Sequence, residues 1–178
     1  GLDEFKDYAI KNEIDDRIIS FLNFRPNLLH KIDRNSPSWP SPRQWFKSDN
    51  LLQAGLDIDP AVGCAAAAEF RSFCKIYKTL PDIEKILDGD TKPSFPEDLS
   101  AKYALSCALA LRSKTDKQMT NALRFLAKKG TSEWLNQCAI DIFSILKEKN
   151  RSHELIKVLQ SQKELLEASK QISKLLVA

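Results

Sequence analysis

Glycine is scarce in this chain, with five residues in 178, and no stretch approaches 18 consecutive apolar residues. The second absence excludes a membrane-spanning helix by length. No charged leader followed by an apolar core opens the chain, so no signal peptide is read and the expectation is a cytoplasmic protein without membrane partners. Charge of one sign is missing too: 27 Lys and Arg lie scattered among 24 Asp and Glu, giving a net +3 with no basic block that would demand nucleic acid. With 43% hydrophobic and 29% charged residues, the composition is that of a folded globular chain.

Catalytic signatures are absent as well. There is no G-x-x-x-x-G-K-[ST] phosphate loop; Asp88-Gly-Asp-Thr-Lys92 lacks the spacing that would let backbone amides cradle a triphosphate. His30 and His153 are far apart in sequence, no serine sits in a G-x-S-x-G elbow, and neither histidine has a metal-ligand companion at helical spacing. The chain is not expected to be an enzyme by itself. Cys64, Cys74, Cys107 and Cys138 occupy apolar helical positions without a C-x-x-C pair, which predicts reduced, buried thiols and no metal site. Carboxylate pairs such as Asp15 with Asp16 read as helix-start or solvated groups.

What is present is helical periodicity, without strand-like alternation. Short amphipathic helices are expected over 4–11 and 15–24, a turn after Pro26, and a stiff connector over 32–40 containing Pro37 and Pro40. Helices follow over 41–53, from Asp59-Pro60 to about Tyr77, and from Asp82 to about Leu87. Beyond a breaker-rich stretch at 88–96 come 97–112, 116–129, 132–148 and one long helix to about Leu176. The helix at 97–112 reads as central, because it is nearly free of charge. No period of 20–50 residues recurs, so a regular repeat array is not supported. The fold class is all-α: an irregular helical bundle of about eight to nine helices, divided into residues 1–90 and a C-terminal extension at 91–178.

One arginine stands against local helix physics. Ser41 is placed as an N-cap, Pro42 as the first helical residue and Gln44 as the reciprocal arm of a capping box, which puts Arg43 at the second helical position. A cation there meets the positive end of the helix dipole at a cost of about 0.3–1 kcal/mol, and an anion held between Arg43 and the free N–H groups reverses that sign. Trp39 and Trp45 bracket the turn; either they clamp it by packing, with Pro40 against Trp45, or they stack on a bound base. From spacing alone, an arginine at a helix start most often extends into solvent.

Trp39-Pro-Ser-Pro-Arg-Gln-Trp45, preceded by Phe21-Leu-Asn-Phe-Arg-Pro-Asn-Leu-Leu-His30, resembles the C-terminal lid region of MoxR-like AAA+ ATPases, in the branch found in phages and beside von Willebrand-type proteins. The resemblance covers about residues 5–90. It implies an AAA+ lid-like subdomain in which Arg43 acts as the sensor-2 arginine, supported by Ser41, Gln44, Trp39 and Trp45. ATP and Mg would be bound by a core outside this fragment, which holds no cofactor of its own. The implied partners are the ATPase core of the same parent chain, further copies in a hexameric ring, and a von Willebrand-type protein, the whole working as a chaperone-like remodeller. Arg25 and Arg34 carry no motif that separates them from surface arginines. The sole methionine is Met119 and the chain opens on Gly1, so an excised portion of a longer protein is expected. The alternative function is a non-enzymatic helical scaffold for protein–protein interaction.

Overall fold

The computed structural model describes residues 1–177, without the side chains of 168, 169, 171 and 175–177. The described residues form eleven α-helices and two 3-10 turns, with no strand. The all-α class follows directly from the 3.6-residue spacing of apolar positions. The chain divides into two compact units, Gly1–Thr79 and Leu80 onward.

The first unit contains α1 (Leu2–Lys11), α2 (Asp16–Phe24), a 3-10 turn at Pro26–Leu28, α3 (Pro42–Gln53), α4 (Asp59–Val62) and α5 (Cys64–Tyr77). Its core is aromatic. Phe21 of α2 meets Trp45 of α3 at 5.6 Å, Phe70 at 5.4 Å and Phe73 at 5.5 Å, the last two from α5. Phe21, Trp45 and Phe70 are all fully buried. Each such side chain contributes about 1.5–3 kcal/mol by leaving water, with about 0.5–1.5 kcal/mol more from each well-oriented ring pair. A smaller cluster of Phe5, Tyr8 and Phe46 joins α1 to α3. Buried Asp49 of α3 accepts from the Asp15 N–H at 2.9 Å and from Gln53 Nε2 at 2.7 Å, which ties the start of α2 to the same helix.

The helix expected from Asp59 to Tyr77 is broken at Gly63. Ile58 is its N-cap, so Asp59 and Pro60 each sit one position further into the helix than the sequence pattern placed them. Gly63 then takes φ +82°, which ends α4 and opens α5. The cause is a close approach by the 32–40 connector: a Cβ on Gly63 would lie 2.6 Å from the Ser38 carbonyl oxygen. Ser38 Oγ also donates to the Asp59 carbonyl at 3.1 Å, so the proline-stiffened connector is fastened across the α4–α5 joint.

The second unit contains α6 (Ile83–Leu87), α7 (Leu99–Arg112), α8 (Asp116–Lys129), α9 (Ser132–Glu148), α10 (Ser152–Ser161), a 3-10 turn at Lys163–Leu165 and α11 (Leu166–Val177). Its boundary falls earlier than the expected 90/91 because α6 packs on α7 and α8. As its low charge implies, α7 is central, buried from Ala104 through Ala110 and packed against α6, α8 and α9. Trp134, Leu135, Cys138, Ile142, Ile145 and Leu146 form the inner face of α9.

The long terminal helix is likewise interrupted, at Gln162, whose extended backbone (ψ 116°) ends α10. Two apolar faces are thereby aimed separately, with Leu155 and Leu159 buried on one side of the break and Leu165 and Ile172 on the other. Leu166, expected on a continuous stripe, is 41% exposed, while the Leu176 side chain lies outside the described residues.

Gly55 and Gly63 both have positive φ, Gly63 with an extended ψ of 155°, but nothing lies within 4 Å of a Cβ on Gly55. Gly55→Ala is expected to cost about 1–2 kcal/mol from backbone strain alone. Gly63→Ala must also push back the Ser38 carbonyl, so its urea midpoint should fall further; equal losses in the two variants would contradict the close approach.

Candidate functional site

The start of α3 is built from three restraints. Ser41, in extended conformation (φ −153°, ψ 161°), accepts the Gln44 N–H on its side chain at 3.4 Å, and Pro42 supplies the first helical residue. Before it, the Lys31 N–H donates to the Pro40 carbonyl at 3.0 Å and closes the connector. After it, Trp45 is wholly buried and its indole N–H donates to the Leu28 carbonyl at 2.8 Å. The cap and proline therefore stand where the sequence placed them. The reciprocal arm of the capping box does not form, since Gln44 Oε1 is buried without a hydrogen-bond partner.

Arg43 occupies the second position of α3, is exposed, and has no ion pair among the described residues. It lines an open cleft of about 800 Å³ between α1 and α3, together with Phe5, Tyr8, Phe46 and Asn50. Trp39, 37% exposed, lines a different cleft, of about 290 Å³, with Lys31, Gly63 and Glu69. Trp45 offers no free face to a ligand. Of the four residues expected to support Arg43, Ser41 and Trp45 thus act on its helix through capping and packing, Gln44 is half-buried one position on, and Trp39 faces elsewhere. Arg25 is committed to Glu69 at 2.6 Å, and Arg34 is exposed in the connector.

Sequence reasoning missed the restraint behind this turn. Asp59 and Asp57 both pair with Arg71 of α5, and the Asp59 carbonyl is the atom that receives Ser38 Oγ. The Arg71 guanidinium, by hydrogen bonding, holds the Asp59 carboxyl below its ordinary 3.8. An i to i+12 carboxylate–arginine spacing carries no local periodic signal, which is why the sequence does not display it.

The cysteines differ from expectation in one respect. None of the four is in a disulfide; Cys107 and Cys138 are buried and Cys74 is half-buried, but Cys64 is exposed at the first position of α5. Helical spacing places it on the side of α5 away from the buried Ala66, Phe70 and Phe73. Burial pushes the Cys138 thiol well up and the Cys74 thiol up, so neither is a ready thiolate. Among the described residues no group of three His, Cys, Asp or Glu side chains could hold a metal ion, and no helix is long and apolar enough to cross a membrane.

No family model, curated protein or solved structure matches this chain.

Trp45→Phe keeps an aromatic ring in the core but removes the second indole ring and leaves the Leu28 carbonyl without its donor. A loss of about 1–3 kcal/mol in chemical unfolding is expected, and an unchanged midpoint would show that the bond is dispensable. A depressed carboxyl contributes stability above its unfolded pKa and loses it as pH falls through the lower folded value. In an NMR titration the Asp59 carboxyl should therefore protonate below 3.8, and Arg71→Ala should move that midpoint upward. No movement would remove the Arg71 tie.

Proposed function

We propose that this chain is the C-terminal helical part of a MoxR-like AAA+ ATPase, with Arg43 contacting the phosphates of ATP held by a core elsewhere in the parent protein. The observation that carries the reading is Arg43 itself, exposed and without an ion pair among the described residues, at the positive end of a helix whose start is fixed by Ser41, Pro42 and Trp45. Such an arginine is disfavoured until an anion arrives, and a triphosphate with its Mg is an anion of the right chemistry. Charge-assisted hydrogen bonds from Arg43 contribute about 1.5–3 kcal/mol. If they form only when the lid is closed over nucleotide, they shift closure by about ten- to a hundredfold.

In this reading the fragment is regulatory and mechanical. It senses nucleotide, transmits closure within a ring-shaped homo-oligomer, a hexamer in this reading, and helps the parent remodel its target in concert with a von Willebrand-type protein. Hydrolysis weakens the phosphate contact and releases the lid.

Arg43→Ala in the parent ATPase should lower ATP turnover at least tenfold while the circular dichroism of the helical fragment stays unchanged. Arg43 is exposed, so its removal leaves no cavity. Unchanged turnover would remove the sensor assignment and favour the scaffold reading.

A further inference from the structure

Arg124 and Lys128 stand one turn apart on α8, where two like charges at i and i+4 repel each other. They face a cleft of about 420 Å³ whose rim also carries Thr91, Asn121, Gly89 and Glu164. The counter-charge present is weak. Glu164 Oε2 accepts only from Arg124 Nε, at 3.3 Å, with both side chains about half exposed. This is a single long contact in place of the paired fork that an arginine makes with a well-seated carboxylate. Lys128 has no ion pair among the described residues.

The other linings point the same way. The Asn121 amide is spent on the Leu87 carbonyl at 2.8 Å, which fixes the wall of the cleft. Gly89, at φ +107°, turns the chain there without placing a side chain in the opening. The donors left over are the terminal guanidinium nitrogens of Arg124, the Lys128 ammonium and the Thr91 hydroxyl. They come from two separate segments and suit a tetrahedral oxyanion with several acceptor oxygens. The space exceeds what one oxyanion fills, and the Arg124 and Lys128 stems with Ala127 supply an apolar wall beside the charges.

We propose that this cleft binds a small organic phosphate, whose phosphate group displaces the Glu164 carboxylate from Arg124. Glu164 lies in the Lys163–Leu165 turn that separates α10 from α11, so binding exchanges a contact from that turn to α8 for a contact to the ligand. Glu164 therefore acts as a built-in competitor. The site is independent of Arg43, which belongs to the other unit.

The test is a ¹H–¹⁵N NMR titration of the whole chain with phenyl phosphate and, separately, with inorganic phosphate. Saturable shifts confined to Gly89, Thr91, Asn121 and the Arg124 side chain are expected, with phenyl phosphate the tighter of the two. Arg124→Ala and, as a second variant on an exposed position, Lys128→Ala should each weaken binding about tenfold or more while the remaining spectrum is preserved. Glu164→Gln should tighten it severalfold by removing the competitor. Shifts scattered over surface lysines, or Arg124→Ala and Lys128→Ala affinities equal to wild type, would overturn the site. Unchanged or weaker binding by Glu164→Gln would overturn the exchange, and inorganic phosphate binding as tightly as phenyl phosphate would overturn the organic body of the ligand.

Discussion

The first unit depends on one buried contact, the indole N–H of Trp45 donating to the Leu28 carbonyl inside an aromatic core. Leu28 ends the 3-10 turn that follows α2, and Trp45 lies in the first turn and a half of α3, so the bond joins two segments separated by a connector with little regular structure. A long, proline-containing connector is entropically costly to order unless its ends are pinned. Here the ends are pinned by Trp45 and by the Lys31 to Pro40 hydrogen bond, and the middle by Ser38 against the α4–α5 joint.

That constraint gives the Arg43 proposal its physical content. A guanidinium on a fraying helix end would sample many positions, and its contact with an anion would be offset by the entropy of ordering it. With the cap at Ser41 and the packing anchor at Trp45, only the Arg43 side chain itself remains to be ordered. The cleft beside it combines aromatic residues and amides, suited to the body of an organic ligand, with the carboxylates of Glu4 and Asp49, which oppose an anion there. The exposed Tyr8 ring of α1 also suits a protein surface, and this is where the sensor and scaffold readings diverge.

Local rules made much of the fold legible. Caps at Ser41, Asp82 and Thr115 all accept backbone N–H groups from the first turn of the following helix, and short polar side chains there announce themselves in sequence. The inner face of α9 was equally readable, because its apolar residues recur at helical spacing. The failures came from tertiary contacts. Gly63 lies inside an alanine-rich helical pattern, and only the approach of Ser38 from 25 positions earlier makes it a break. Gln162 is a good helix former, yet the chain turns there so that Leu155 and Ile172 both reach the core. At the candidate site, the Ser-Pro start and the position of Arg43 were visible in sequence. The separation of Trp39 from Arg43 into different clefts was not, because it depends on how the connector folds back.

The central claim is that an ATPase core belongs to the same polypeptide as Arg43. Its most direct test is to read the coding sequence upstream of the Gly1 codon in the source DNA. A continuous frame encoding a G-x-x-x-x-G-K-[ST] loop between a strand and a helix is the predicted result. A start codon directly before Gly1, or an upstream frame without such a loop, would contradict it.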